Sequence, residues 1–435
     1  MFYSKTLGGA FNGNYNFLNT FSLFFQSFEM VRGGTAVQCL CAAVALLLLD
    51  ASNTLNMPPA RHEPPSRCAR ECLDFLDKST DPYSAVASAV HELEAKDFVR
   101  LDERNSWSGA VKPGGKYYFT RESNLGSSLV AFVVGCRFDD DPKDPGSHGG
   151  FKVIGAHTDT PNLRVKPRSK RTSSGCLQID VETYGGGLWH TWFDRDLSVS
   201  GKVVVRGDDG ALKQTLVDVE RPILRIPTLA IHLQTADERA AFSFNKEDHL
   251  MPVLATEARK GLVGSREKEE GSPVENDNSD EAAVDSWQEN HEPLLLQIIA
   301  SKLNVRPQQI VDFDLSLYDT QKAAFCGATS EFITSARLDN IVGCFVTLRS
   351  LLAYSESASV GTDTDVSVIA LFDHEEVGSS STTGAGSTLI TESVNRISLA
   401  LDPASTLDCI GRRIRKSMVV SFDMAHVRVL SLLSL

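Results

Sequence analysis

The sequence predicts an α/β fold, with a mixed sheet flanked by helices, that an inserted β-rich domain interrupts. Short apolar runs with the length of buried strands occur at 151–157, 366–373 and 418–423. Runs long enough for helices stand between them, and such alternation is typical of α/β proteins. The pattern changes over residues 162–327, where short β-rich segments dominate. The α/β parts on either side are therefore expected to form one discontinuous domain.

Local patterns predict the individual elements. Residues 67–102 are predicted to be helical, because apolar residues repeat at helical spacing along 85–93. Residues 114–135 are typical of two strands around a glycine-bearing turn. Further helices are predicted at 293–303, within the β-rich part, and at 341–355 and 387–401.

We divide the chain into four parts. They are a leader or disordered extension at 1–62, the first α/β part at 63–161, the β-rich domain at 162–327 and the second α/β part at 328–435. An apolar block at 36–49 is too short for a typical spanning helix and suits a signal-peptide core, better so if Met30 initiates. A spurious upstream exon is the alternative, and no stable membrane span is expected.

Charge restricts the partners. The 435 residues carry a net charge of −13, which argues against nucleic acid as a partner. Residues 257–292 contain 11 acidic and 4 basic side chains without periodic apolar residues. A disordered acidic loop is expected there.

Acidic and imidazole side chains stand where three predicted strands end. His157 ends the first strand and Asp159 follows it, Glu375 and Glu376 follow the second strand, and Asp423 ends the third. In an open α/β sheet, ligands bind beyond the carboxyl ends of the strands. These groups are therefore expected to share one site. A bound cation would relieve the repulsion between the adjacent glutamates, whereas two solvated glutamates in an exposed loop are the alternative.

Asp339 precedes a predicted helix and has two interpretations. Asp339 or Asn340 could cap that helix, or Asp339 could join the strand-end groups as a carboxylate that bridges two metals. Imidazole with carboxylate, and without thiolate, suits zinc, manganese or cobalt in a catalytic site. One of the paired glutamates could then bind the metal while the other takes a proton from water.

Five motifs give the sequence a specific resemblance. They are GAHTDTPNLRVKP, VETYGGGLWHTWFDRDLSVSGKVVVR, SARLDN, HEEVGSSS and SFDMAH, and they extend over most of the chain. In this order they resemble the aspartyl aminopeptidase family of dinuclear zinc exopeptidases. The resemblance implies hydrolysis of an N-terminal Asp or Glu from peptides. It also implies a homo-oligomer, in which the β-rich domain mediates dimerisation, and a cytoplasmic location.

The resemblance implies a ligand set for two zinc ions. His157 and Asp423 would bind the first zinc, Asp339 would bridge both ions, and Glu376 would bind the second.

Three further positions have roles by the same resemblance. Glu375 would be the general base, and Asp159 would orient His157. His190 would reach into the active site of a neighbouring subunit. Without the family match, His190 would be interpreted as a packed structural histidine.

The sequence departs from the family pattern after Asp423, because family members continue well beyond that motif. The last zinc-binding histidine and groups that recognise the substrate belong to the continuation. An incomplete second site is therefore expected, and His374 and His426 are expected to be poor replacements. The alternative function is a catalytically impaired, truncated subunit that only co-assembles with intact subunits.

Overall fold

The structure is a computed structural model that describes residues 65–121, 125–138, 149–258 and 286–425. The predicted leader at 1–62, most of the predicted acidic loop and His426 lie outside the described residues. Within the described ranges, none of the helices has both the length and the apolar character needed to cross a membrane.

The helices and strands of the described residues have the following bounds. The helices are α1 (Arg67–Lys78), α2 (Pro82–Glu94), α3 (Ala236–Ala240), α4 (Ser286–Glu289), α5 (Pro293–Leu303), α6 (Leu338–Ser355), α7 (Leu389–Leu401) and α8 (Leu407–Lys416). The strands are β1 (Val99–Arg100), β2 (Lys116–Thr120), β3 (Leu129–Val134), β4 (Phe151–His157), β5 (Asn162–Ser173), β6 (Cys176–Tyr184), β7 (Leu197–Arg206), β8 (Leu212–Asp218), β9 (Val253–Thr256), β10 (Ile310–Asp319), β11 (Ala324–Cys326), β12 (Phe332–Thr334), β13 (Val366–Phe372) and β14 (Met418–Ser421).

The first sheet is mixed and has the strand order β1-β2-β3-β13-β4-β14. Strand β4 is parallel to β13 on one side and to β14 on the other, whereas β3 is antiparallel to β13. The predicted α/β fold with a mixed sheet is confirmed. Because β4, β13 and β14 are parallel, their carboxyl ends meet at one edge of the sheet.

Helices cover both faces of this sheet. In β3, Leu129 and Val133 face a core shared with α1, α2 and α6, whereas Val130 and Phe132 face a second core shared with α7. Successive side chains of a strand point to opposite faces, so a strand covered on both sides is apolar throughout. Each large side chain buried in this way contributes about 1.5–3 kcal/mol, which makes the central strands a rigid support for the residues that follow them.

The second sheet is antiparallel and has the order β8-β7-β10-β5-β6-β9. All its strands lie between residues 162 and 319, inside the range predicted to be β-rich. Helix α5, predicted at its observed position, packs Leu295 and Ile299 into the core of this sheet. The domain boundaries stay predictions. The hairpin of β11 and β12 spans residue 327, the predicted C-terminal boundary of the β-rich domain.

The prediction of one helical segment over residues 67–102 is wrong. Helix α1 ends at Lys78, α2 extends from Pro82 to Glu94, and β1 follows. Asp81 causes the break, because its backbone is extended and its carboxylate accepts hydrogen bonds from the backbone N–H groups of Tyr83 and Ser84. An Asp followed by Pro starts a helix, and the apolar periodicity hid this signal.

We expect Asp81→Ala to lower the free energy of unfolding by about 2 kcal/mol, at the upper end for loss of a helix cap. Asp81 is buried and also accepts a hydrogen bond from the Ser84 hydroxyl. Urea denaturation followed by circular dichroism measures the change. Asp74→Ala, on an exposed position of α1, is the control. Equal unfolding free energies of the two variants would contradict the capping role.

The prediction of a disordered acidic loop over residues 257–292 is wrong at the C-terminal end of that range. Residues 286–292 are folded: α4 begins this segment, and the ring of Trp287 lies 5.1 Å from that of Phe313 in β10. His291 and Glu292 are buried. Charge composition alone predicted disorder because it ignores the contacts that Trp287 makes with a distant strand.

Candidate metal centre

The three parallel strands place their following residues at one edge of the first sheet. Strand β4 ends at His157, which lies opposite Phe372 of β13. A 3₁₀ turn, Glu375–Val377, then carries both glutamates. On the other side of β4, Ser421 of β14 pairs with Gly155, two residues before His157. Asp423 therefore follows β14 at the level of His157.

Asp339 reaches this edge from the start of α6. The backbone of Asp339 and Asn340 is not helical, as is usual for residues that precede the first regular helical turn. Asn340 Oδ1 accepts no hydrogen bond from the described residues, so Asn340 does not cap the helix through this atom, whereas the capping interpretation of Asp339 stays a prediction. Asn340 Nδ2 donates a hydrogen bond of 2.8 Å to the backbone oxygen of Phe422, which ties the start of α6 to the residue before Asp423.

These side chains converge on the Nε2 atom of His157. Carboxylate oxygens of Asp339, Asp423 and Glu375 lie 3.3, 3.4 and 3.8 Å from that nitrogen. In the described part of the chain, His157, Asp339 and Glu376 also form a group whose ligand atoms all lie within 4.8 Å of one another. We call His157, Asp339, Glu375, Glu376 and Asp423 the carboxylate–imidazole cluster.

His157 is oriented with Nε2 toward the carboxylates. Its other ring nitrogen, Nδ1, lies 2.9 Å from the backbone oxygen of Asp159 and 3.5 Å from that residue's carboxylate. With the proton on Nδ1, the ring donates to the carbonyl of Asp159 and leaves Nε2 with a lone pair for a cation. The shorter contact that orients the ring is therefore with the main chain of Asp159.

The Asp159 carboxylate mainly holds the turn that carries the glutamates. It is fully buried. One oxygen accepts the N–H of Glu375 at 3.1 Å, and the other accepts the N–H of Glu376 at 3.1 Å and the hydroxyl of Tyr184 at 2.6 Å. Burial opposes the charge on Asp159, but the hydrogen bonds with His157, Tyr184 and Glu376 outweigh it and lower the pKa of this carboxyl group. Asp159 is thus a fixed anion beneath the cluster.

The electrostatics of the cluster favour a bound cation. Burial and the neighbouring carboxylates raise the pKa of Glu376 to about 7, although His157 opposes this shift. Burial, followed by the charge of Asp423, raises the pKa of Asp339. Burial disfavours the protonated His157 ring, but Asp159 and Asp423 together raise its pKa to about 9. Crowded carboxylates around an imidazole nitrogen are a donor set that fits zinc.

Two other histidines lie apart from the cluster. His190 is exposed in the Trp189–Trp192 turn, so it is not a packed structural histidine, and it makes no hydrogen bond or ion pair with the described residues of the cluster. His374 points its Nδ1 atom to the Ser381 hydroxyl at 2.7 Å. His374 therefore faces away from the metal site, as predicted, but from a left-handed backbone position after the end of β13 and not by strand alternation.

Comparisons with known proteins identify the family of this chain. The family model described as aminopeptidase I zinc metalloprotease (M18) matches residues 75–428. An aspartyl aminopeptidase of Aspergillus oryzae is 40% identical over 367 residues, which are 82% of this chain and 71% of that protein. The cryo-EM structure of the Ape4 and Nbr1 complex matches with 38% identity and a TM-score of 0.71, over 82% of this chain and 63% of that one. The S. cerevisiae mApe1 dodecamer matches with 27% identity and a TM-score of 0.65, over 83% and 72%.

The mixed sheet, the cluster at its edge and these matches place the chain in the class of zinc metalloproteases. Within that class, the chain belongs to the M18 family of aminopeptidase I zinc metalloproteases. The resemblance predicted from the five motifs is therefore confirmed at the level of the family. The chain spans less than two thirds of the chain that it matches in the Ape4 and Nbr1 complex.

Proposed function

We propose that this protein removes N-terminal Asp or Glu residues from peptides at a dinuclear zinc site formed by the carboxylate–imidazole cluster. The observation that carries the proposal is the approach of the His157, Asp339 and Glu376 ligand atoms to within 4.8 Å of one another. These residues come from three separate segments of the chain, so their convergence is a product of the fold.

The contacts support a division of the ligands between two ions. His157 and Asp423 would hold the first, since Asp423 lies 3.4 Å from the free imidazole nitrogen. Glu376 would hold the second. A carboxylate oxygen of Asp339 lies 3.3 Å from His157 Nε2, and its ligand atom lies within 4.8 Å of that of Glu376; a carboxylate that reaches both ligands could bridge the two ions.

Glu375 is the proposed general base. Zinc supplies Lewis acidity toward a water molecule and a peptide carbonyl. The Glu375 carboxylate is about half exposed, with a side-chain accessibility of 47%, so water and substrate can reach it. It takes a proton as water attacks the scissile carbonyl and passes that proton to the leaving amine. Asp159 fixes the backbone N–H of Glu375 during both transfers.

The substrate is a peptide with a free amino terminus. Several carboxylates within one cluster attract a protonated α-amine, which favours cleavage of the first peptide bond over internal bonds. The preference for an acidic first residue is proposed from the Aspergillus relative, which is named an aspartyl aminopeptidase.

A homo-oligomer is proposed as the working assembly. Exposed apolar side chains gather along one segment that follows β8, namely Leu229, Ile231, Leu233 and Phe242. Exposed clusters of this kind mark interaction sites. The exposed His190 is proposed to enter the site of a neighbouring subunit from such an interface. A cytoplasmic location stays a prediction from the family resemblance.

Asp339→Ala tests the metal site. We expect at least a tenfold weaker affinity for zinc, because the variant removes the proposed bridging carboxylate. Chelator competition and metal analysis by mass spectrometry measure it. Asp237→Ala, at an exposed position of α3, controls for the loss of one acidic residue. Unchanged zinc affinity in Asp339→Ala would overturn the proposed site.

A further inference from the structure

We propose that Tyr184 and Gly185, at the end of β6 in the second sheet, position the carboxylates of the metal site in the first sheet. Tyr184 is a positioning residue that acts through Asp159, and Gly185 acts through Glu376. This inference rests on the proposed zinc site and extends it, because it gives the second sheet a part in metal binding within the same chain.

The Tyr184 hydroxyl is the first link between the two sheets. It donates a hydrogen bond of 2.6 Å to Asp159 Oδ2, the same oxygen that accepts the backbone N–H of Glu376. Both side chains are buried. Hydrogen bonds to a charged group in such surroundings are short and strong. The phenol therefore fixes the plane of the carboxylate that holds the glutamate turn.

Arg164 and its partners fix the Tyr184 ring in turn. The Arg164 guanidinium stacks 3.8 Å from the centre of the Tyr184 ring. Arg164 also lies 3.7 Å from Asp314, which accepts a 2.8 Å hydrogen bond from the Tyr83 hydroxyl. Since Arg164 and Tyr184 belong to the paired strands β5 and β6, the position of the phenol is set by the second sheet.

Gly185 is the second, independent link. Its φ angle is +74°, and a Cβ atom built on it would lie 2.9 Å from the Cβ atom of Glu376. Any side chain at this position would therefore meet the proposed zinc ligand and also strain the backbone. The main chain of Gly185 thus forms a wall against which Glu376 packs.

These contacts make a specific prediction about metal affinity. Partners that orient metal ligands typically account for a 10- to 100-fold difference in affinity when they are mutated. Tyr184→Phe removes the hydroxyl and keeps the ring and its stacking. We expect its zinc affinity to fall about tenfold. The visible absorption spectrum of the cobalt-substituted protein should also change, because the ligand geometry changes.

Tyr318→Phe is the matched control. Tyr318 is a buried tyrosine of the second sheet, and its hydroxyl donates to the Asp218 carboxylate. Both variants therefore lose one buried phenol–carboxylate hydrogen bond and should lose similar stability in urea denaturation. Only Tyr184→Phe should change zinc affinity and the cobalt spectrum. Gly185→Ala should weaken zinc binding more than Tyr184→Phe does. If Gly185→Ala does not fold, the milder variant Tyr184→Phe alone tests the positioning role.

The outcomes separate this inference from the proposed function. If Tyr184→Phe binds zinc as tightly as Tyr318→Phe while Asp339→Ala loses it, the positioning role is overturned and the zinc site stands. If Asp339→Ala keeps its zinc affinity, the proposed site itself fails. Weaker binding in both Tyr184→Phe and Asp339→Ala, with Tyr318→Phe unchanged, supports the positioning role.

Discussion

Glu375→Gln is expected to lower the turnover of an N-terminal aspartyl anilide by about 10²–10⁴-fold, the range typical for loss of a general base. The amide keeps the size of the side chain but cannot accept the proton from the attacking water. Zinc affinity should stay near that of the parent protein, because Glu375 is not one of the proposed ligands. Steady-state kinetics and chelator competition measure the two quantities.

The neighbouring glutamate gives this experiment its control. Glu376→Gln replaces a proposed ligand, so it should lose zinc affinity together with turnover. Glu331→Gln, at an exposed position before β12, should change neither. If Glu375→Gln lost zinc affinity as strongly as Glu376→Gln, Glu375 would be a ligand. If Glu375→Gln kept full turnover, another group would be the base.

Much of the site follows from local sequence, because its residues come directly after strands. The apolar runs ending at His157, before Glu375 and before Asp423 are strong strand signals. The carboxyl ends of parallel strands meet at one edge of the sheet, so the residues that follow the strands are expected to lie close together. Asp339 was harder to place, since a residue before a helix is more often a cap. Only the presence of the acidic and imidazole groups at the strand ends favours the metal interpretation of Asp339.

The contacts that support the site could not be predicted in the same way. Tyr184 lies 25 residues after Asp159, at the end of a strand of the second sheet, and nothing in its local pattern indicates that its hydroxyl meets a carboxylate there. The Asn340 contact with Phe422 joins residues 82 positions apart. Such pairings depend on how two sheets and a helix pack, and this packing has no signature in hydrophobic periodicity.

The two errors in the helix boundaries have a common cause. The break at Asp81 depends on one side chain that caps a helix within an apolar periodic segment. Helix α8, for which we made no prediction, also begins after a capping residue, Thr406. In both places a single polar residue sets the start of the element, whereas hydrophobic periodicity averages over ten or more residues. Caps should therefore be searched for before the periodicity is interpreted.

Asp159→Asn is expected to weaken zinc binding about a hundredfold and to lower the free energy of unfolding by about 3 kcal/mol. The buried carboxylate accepts hydrogen bonds from the N–H groups of Glu375 and Glu376 and from the Tyr184 hydroxyl. An asparagine NH₂ group in place of either oxygen would set a donor opposite an N–H or O–H group, which is also a donor, so that hydrogen bond would be lost. The turn that carries the base and a proposed ligand would then lose its anchor. Chelator competition and urea denaturation measure the two effects.

Asp218→Asn separates loss of the anchor from loss of stability. Asp218 also accepts a tyrosine hydroxyl and a backbone N–H, those of Tyr318 and Glu220, but it does so at the end of β8 in the second sheet. Both variants should be destabilised, and only Asp159→Asn should bind zinc more weakly. Equal zinc affinities at equal stability would show that the glutamate turn holds its position without the carboxylate. The Gly185 wall would then be the candidate anchor, because it is a further contact from the second sheet that reaches Glu376.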